Sequence, residues 1–409
     1  ENKMPAPQIP DSEFADRRAK VQAKAKELGL DAVIVWSRSG HTVETYGDLY
    51  YLTNFLSLFP CVPDRLTWSS RGHGALILPV DGEGILVTDY LDDPEDRVKV
   101  KDVRVIPDMA AGVVDVLKET GLLDKRLGMV GMMSFLVSAL RRMEDKAGRK
   151  LDFMDVDHIL DRLRVIKSPT EIEQMRWAAG VGIKWMNATM EAVVEGNTEG
   201  DAVGAGLQVL AANGGTQQDI AIASGPNAIH YMGSSGMPHW NVTRPLEKGD
   251  LVHIDQWGPV DGYYTDFARS TVVGGNPTDG QRELLQGNVS LIHHIIDGVV
   301  PNETTFGDLY LRGSKWLDDN GFANHKSTGD ETNNFSQLFP CFGHALGLGI
   351  DGPWIVEDEQ TVIEPNMTIA VEALVSKPGV GASNFEEDIL VTETGAEILT
   401  AGCESKRWA

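Results

Sequence analysis

The sequence predicts two domains of different construction, an α/β domain over residues 1–160 and an α+β domain with antiparallel sheet over 161–409. Three observations carry this. Helix and strand patterns alternate up to about residue 156; a strong helix start at Ser168-Pro169-Thr170-Glu171 follows the stretch 162–167; and beyond it helix pairs alternate with hairpin signals. At 409 residues the chain also exceeds one ordinary core.

Residues 12–28 read as a charged amphipathic helix closed by Gly29, and the apolar run Asp31 to Trp36 as a buried strand. The pattern recurs, with strands near Gly74–Leu78, Gly84–Thr88 and Val103–Ile106 and a helix near Ala110–Thr120. A strand at Leu127–Val130, a helix at Phe135–Ala147 and a strand at Phe153–Val156 complete the first domain. Between them Thr42–Arg71, holding Tyr46, Tyr50, Tyr51, Phe55, Phe59 and Trp68, reads as a long aromatic connection packed on its own domain, or as a lid or dimer contact. Ser168 to Glu171 is a capping box with proline at the first helical position. The helix it opens should run to about Val194, with Ile172, Met175, Ala178, Ala179 and Ile183 on one face, and a second should end near Leu210.

Composition narrows the function classes. With 42% hydrophobic and 23% charged residues the chain is an ordinary globular one. Its net charge of −24 argues against nucleic acid or an anionic membrane as partner, since both are bound by basic surfaces. Cys61, Cys341 and Cys403 show no CxxC spacing, which argues against a disulfide framework or a thiolate zinc site. No apolar run approaches the ~20 residues of a membrane span. With no export signal at the start either, a cytoplasmic enzyme is expected.

The chemistry concentrates in two hairpin signals. If the chain reverses within Pro259-Val260-Asp261-Gly262, with the turn centred between Val260 and Asp261, Asp255 and Asp266 stand directly opposite, about 5 Å apart at Cβ. Like charges so close need a cation, a shared proton or an arginine between them. In Thr368–Thr392 a turn centred between Gly379 and Val380 sets Glu372 opposite Glu387, and alternation turns Glu386 and Asp388 outward. Between the hairpins His344 lies in the glycine-spaced run Phe342–Gly349. Four carboxylates and one imidazole suit two hard or borderline divalent ions better than one closed tetrahedral zinc.

These motifs, IDQWGPVDGYYTDFARS, FGHALGLGID and FEEDILVTETG, resemble those of the pita-bread metallohydrolases, the family of methionine aminopeptidase, aminopeptidase P, prolidase and creatinase. The first domain followed by RVIKSPTEIEQMR resembles the two-domain creatinase and prolidase branch, so the likeness covers nearly the whole chain. It implies Asp255, Asp266, His344, Glu372 and Glu387 as ligands of two divalent ions (Mn, Co, Fe or Zn), with Asp266 and Glu387 bridging. It implies His230 as donor to the developing oxyanion, Glu372 as proton shuttle to the leaving nitrogen, Arg269 as a structural ion pair, and a homodimer. Metal-activated water would then cleave a C–N bond in an Xaa-Pro-type dipeptide or small amide.

Three positions depart from the peptidase pattern: Asp351 stands seven residues after His344 where a histidine is usual, Phe385 two before the last ligand where arginine is frequent, and Pro340 four before His344. They leave room for a second enzyme reading, a metal-dependent lyase or hydrolase of a small zwitterion, as dimethylsulfoniopropionate lyase and ectoine hydrolase are in this branch. Asp351 would meet the cationic group and Trp36, Tyr46 and Trp68 would cage it by cation–π contact. A non-catalytic pita-bread binding module is the reading from another class, and bound metal would separate it from the enzymes.

Overall fold

The computed structural model describes residues 6–38, 46–57, 71–322, 339–377, 379–404, 406 and 408. They form two units, Gln8–Arg164 and Val165–Ala409, with Ala6 and Pro7 counted in the second. Gln174 donates its side-chain amide to the Pro7 carbonyl.

In the first unit, α1 (Asp11–Glu27) leads through Gly29, at φ +68°, into β1 (Ala32–Arg38). The helix α2 (Gly47–Thr53) and the strands β2 (His73–Pro79), β3 (Ile85–Thr88) and β4 (Asp102–Val105) follow. Next come α3 (Met109–Glu119), β5 (Leu127–Val130), α4 (Val137–Ala147), β6 (Met154–Asp155) and α5 (Asp157–Val165). The strands form one mixed sheet in the order β4-β3-β2-β1-β5-β6, with β1 antiparallel to β2 and parallel to β5. Ile34, Trp36, Ile77 and Val87 bury one face against Val113, Leu117 and Met143 of α3 and α4. This is the α/β construction the alternation predicts. Within the expected aromatic connection, Gly47–Thr53 form a buried helix, α2, because Leu49, Tyr50, Tyr51 and Leu52 have core to cover. Phe59 and Trp68 lie outside the described residues.

The second unit opens on α6 (Pro169–Glu191). Ser168 Oγ accepts from Glu171 N at 3.1 Å and Ser168 N donates to Glu171 Oε2 at 3.0 Å, the reciprocal cap the sequence signals. The helix α7 (Glu199–Ala212) repeats this cap with Thr198 and Asp201. The strand β7 (Asp219–Ser224) pairs with the hairpin β8 (Leu251–Val260) and β9 (Tyr263–Val272). After α8 (Asp279–Ile296) and α9 (Phe306–Asp319) comes a five-stranded sheet in the order β11-β10-β12-β13-β14. Its strands are β10 (Gly343–Leu346), β11 (Ile350–Trp354), β12 (Thr368–Lys377), β13 (Gly381–Val391) and β14 (Ala396–Ile398).

The two hairpins meet at β9 and β13, where Ser270 Oγ bonds the main chain of Asn384 in both directions, at 2.8 and 3.1 Å. Behind β12 and β13 lies α8, whose Leu284, Leu285, Val289 and Ile292 pack into the core with Val371, Ala373 and Phe385. Each such side chain contributes ~1.5–3 kcal/mol by leaving water. Asn288 sits in that apolar contact and donates Nδ2 to Ala373 O at 3.0 Å and Ser383 O at 2.7 Å, tying the helix to both strands.

Candidate metal centre

The first hairpin turns one residue later than its sequence suggests. Asp261 and Gly262 both take positive φ, +49° and +92°, the requirement of a two-residue type I′ turn, so Val260 pairs with Tyr263. Asp255 therefore opposes Ala268, and Asp266 opposes Trp257. The two aspartates are diagonal neighbours on one face, the arrangement with side chains ~7–8 Å apart, rather than a facing pair.

The second hairpin corrects the sequence reading more deeply. Three residues, 378–380, join Lys377 to its partner Gly381, so the register is shifted by one from the expected turn. Glu372 then faces Glu386, while Glu387 faces Val371. A slip of one residue exchanges the faces of a strand, so Glu386 points to the acids and Glu387 away from them. On that other side Glu387 meets Arg269 Nη2 at 2.8 Å and accepts from Thr400 Oγ1. Arg269 is fully buried, donates Nη1 to Glu386 O at 2.6 Å, and stacks on Phe267 and Phe385, 4.9 and 4.7 Å from the ring centres. With Glu386 as the inward acid, the position two before it is Asn384 rather than Phe385, and Phe385 is a core residue.

Asp266, His344 and Glu386 form one group of three, and Asp255, Glu372 and Glu386 another; within each, one oxygen or nitrogen per residue lies within 4.8 Å of the others. Glu386 belongs to both. All five residues are buried. His344 sits on β10, where its Nδ1 must donate to the Ala345 carbonyl at 2.9 Å, leaving the Nε2 lone pair 3.6 Å from Asp266 Oδ2. Burial brings its pKa down to about 4, so the ring is neutral, as a metal-binding imidazole must be.

Burial and neighbouring acids raise the pKa values of the cluster. Burial, followed by the charge of Asp255, pushes Glu372 up to about 8. Burial raises Asp255 to about 6, against hydrogen bonds from Tyr231 and Asn384 that oppose it, and burial with Asp266, Glu372 and Asp255 raises Glu386 well above the carboxylate range. Among the described residues no N–H and no alcohol or phenol hydroxyl reaches either oxygen of Glu386 or Oδ1 of Asp255, and the two carboxyl groups meet only each other there. Buried carboxyl groups that burial and mutual repulsion keep from ionising, arranged about a neutral imidazole, fit divalent cations, whose charge would let them ionise. Cys341 supplies no thiolate here, because burial and Glu372 push its thiol up to about 12.

Tyr231 is the site residue that sequence reasoning passed over. Its hydroxyl donates to Asp255 Oδ2 at 2.7 Å, Asn384 Nδ2 donates to the same oxygen at 3.2 Å, and the Phe339 ring stands edge-on at 5.0 Å. Burial first, then Asp255 and Glu372, hold the phenol protonated. The signal available was an aromatic next to His230, and nothing in that spacing distinguishes it from a packing residue. His230 itself is exposed, and its carbonyl lies 2.8 Å from Nε2 of the fully buried His253.

The cage suggested for a small zwitterion does not assemble. Trp36 is fully buried in β1, donating Nε1 to His73 Nδ1 at 2.7 Å with Phe135 edge-on, and Tyr46 is buried with its hydroxyl on Gly72 O at 3.0 Å. Both are core residues of the first unit, and Trp68 lies outside the described residues. Asp351 is half-buried on β11; a Cβ placed on Gly347 would meet Asp351 Oδ2 at 3.2 Å and Lys167 Nζ at 3.4 Å, so a lysine already flanks it.

Antiparallel hairpins that gather four acids and a neutral histidine define a metal-dependent hydrolase. Residues 173–393 match metallopeptidase family M24 and residues 17–166 match the creatinase/prolidase N-terminal domain, and the chain belongs to the M24 family. It is 27% identical over 292 residues to the Xaa-Pro dipeptidase of Pyrococcus furiosus, covering 70% of this chain and 76% of that one. It is 22% identical over 421 residues to the creatinase of a Bacillus species, covering 96% and 92%. In fold it is similar to the prolidase of Pyrococcus horikoshii, with a TM-score of 0.75 at 22% identity over 94% of this chain and 98% of that one. Among the described residues no helix is long and apolar enough to cross a membrane.

Proposed function

We propose that this chain hydrolyses the C–N bond of a short peptide of the Xaa-Pro kind, using two divalent cations, Mn, Co, Fe or Zn, held by Asp255, Asp266, His344, Glu372 and Glu386. The observation that carries the reading is the membership of Glu386 in both three-residue groups, which is what a carboxylate shared by two ions requires. When bound, such ions supply hydroxide from water near neutral pH and polarise a carbonyl. The chain's own residues do the rest. Tyr231 and Asn384 hold Oδ2 of Asp255 and leave Oδ1 free of donors. Glu372, facing Glu386 across the hairpin, carries the proton to the leaving nitrogen. His230, next in sequence to Tyr231, donates a hydrogen bond to the developing oxyanion.

The substrate class is supported by relatives named Xaa-Pro dipeptidase, two of them at 27% identity. A cytoplasmic homodimer belongs to the same reading, and three cysteines without CxxC spacing suit a reducing compartment. The test is elemental analysis of metal per chain, paired with turnover of Ala-Pro before and after chelation. Two ions per chain with chelator-sensitive cleavage are expected. Two ions without cleavage would move the substrate outside dipeptides, and a metal-free protein after gentle purification would sink the mechanism.

A further inference from the structure

The segment that carries His230 and Tyr231 leaves β7 at Ser224 and returns at Asn241, and one buried carboxylate joins its two ends. Glu199, 1% exposed in the first turn of α7, accepts from Ser224 Oγ at 2.6 Å on Oε1 and from Asn241 N at 2.6 Å on Oε2. The main chain closes around this contact. Gly200 N donates to Asn241 O at 3.1 Å and Gly233 N to Ile222 O at 2.6 Å. At Gly233 any side chain would collide, because a Cβ there would stand 2.1 Å from Glu199 Oε2. Further along, His253 holds the His230 carbonyl at 2.8 Å. Burial raises the Glu199 carboxyl, and the bonds from Ser224 and Asn241 oppose that. A dehydrated carboxylate is costly to keep, and here its two oxygens reach donors on both ends of one loop, which no apolar side chain could do.

We propose that Glu199 is a positioning residue for the hydrolytic reaction: by clasping the 225–240 segment at both ends it holds Tyr231 on Asp255 and His230 beside it. This rests on the acid cluster being the hydrolytic centre. The test variant is Glu199→Gln in the full chain, which sets an amide N–H group against one of the two donors. Hydrogen–deuterium exchange of the metal-loaded protein is expected to speed up on the order of tenfold over residues 225–241, with β12 and β13 unchanged.

On Ala-Pro, kcat is expected to fall about tenfold or more at unchanged metal content. In a Tyr231→Phe background the same substitution should cost clearly less than in the native enzyme, the remainder being the lost placement of His230. Unchanged exchange in that segment, or costs that simply add, would overturn the proposal. Should Glu199→Gln fail to fold, Ser224→Ala removes one donor alone and is read by the same two measurements, with a smaller change of the same sign. If the native enzyme does not cleave Ala-Pro at all, the hydrolytic reading fails, while the exchange experiment still decides the clasp.

Discussion

Glu386 and Glu387 are neighbours of identical chemistry with opposite surroundings, one among acids and one on an arginine. Glu386→Gln is expected to lower bound metal and reduce turnover by about a hundredfold or more, while the metal-free protein melts no lower, since a buried like charge has been removed. Glu387→Gln leaves the guanidinium of Arg269 unpaired in a dry core, and is expected to cost ~3–5 kcal/mol in a urea titration. Equal loss of metal in both variants would contradict the assignment.

His73 gives a pH dependence that is independent of the cluster. Burial, then the charge of Arg38, takes its folded pKa to about 3 against an ordinary 6.5. The unfolded chain therefore binds the proton first, and its contribution, complete above pH 6.5, is lost as pH falls toward 3, at up to about 1.4 kcal/mol per unit. His73→Gln should flatten that part of the slope, measured as urea midpoints between pH 7 and pH 4.5. Residue identities were legible at Asp255, Asp266 and Glu372 because acids stand out in apolar alternating runs, and at His344 because it is a single imidazole in a glycine-spaced run. They were not at Glu386, since two adjacent glutamates can be told apart only by the register of the partner strand.

At the scale of elements, the strongest sequence signals were those with local causes. The capping box at Ser168, the glycine stop after α1 and the alternation in β8 and β12 depend on neighbours a few residues away, and each produced its element. The helix α2 was not anticipated, because its capped ends lack a side-chain hydrogen bond and its aromatic face is explained only by the core it covers. Turn placement was off by one at both hairpins for the same reason: several glycine-containing registers fit the composition, and backbone φ chooses among them. Gly262, at φ +92°, is expected to lose ~1–2 kcal/mol on substitution by alanine, seen as a lower denaturation midpoint with little change in the slope of the transition. Asn288→Ala, which removes the amide linking α8 to both strands, should be at least as costly because it leaves the Ser383 and Ala373 carbonyls without that donor.

For the whole molecule, the fold class was legible from the change of grammar at the capped helix that begins at Ser168. The substrate was not, because the acids that announce a metal centre say little about the chemistry of the loops around it. Tyr231 and Asn384 reach Asp255 from stretches more than a hundred residues apart, a meeting that only the assembled fold creates. Folding also confines several carboxyl groups in one dry place, where burial and repulsion oppose their ionisation, in a chain already carrying a net charge of −24. Cation binding should therefore stabilise the native state: Mn²⁺ at a hundredfold over its dissociation constant is expected to add about 2.7 kcal/mol, visible as a rise in melting temperature that a chelator reverses.

The three-residue connection at 378–380 carries one more consequence. Whether Glu386 or Glu387 looks inward is a matter of parity, set by an odd number of residues in a turn. Inserting a single residue there leaves two outcomes: the strand keeps its register and bulges, or the acids change places and Arg269 is brought to face a glutamate it cannot reach. Two inserted residues keep Glu386 on the inward face, whether the loop lengthens or the register slips by two. The composition of the reaction centre is thus protected against even changes in loop length and exposed to odd ones, an arithmetic constraint on how this hairpin can be altered.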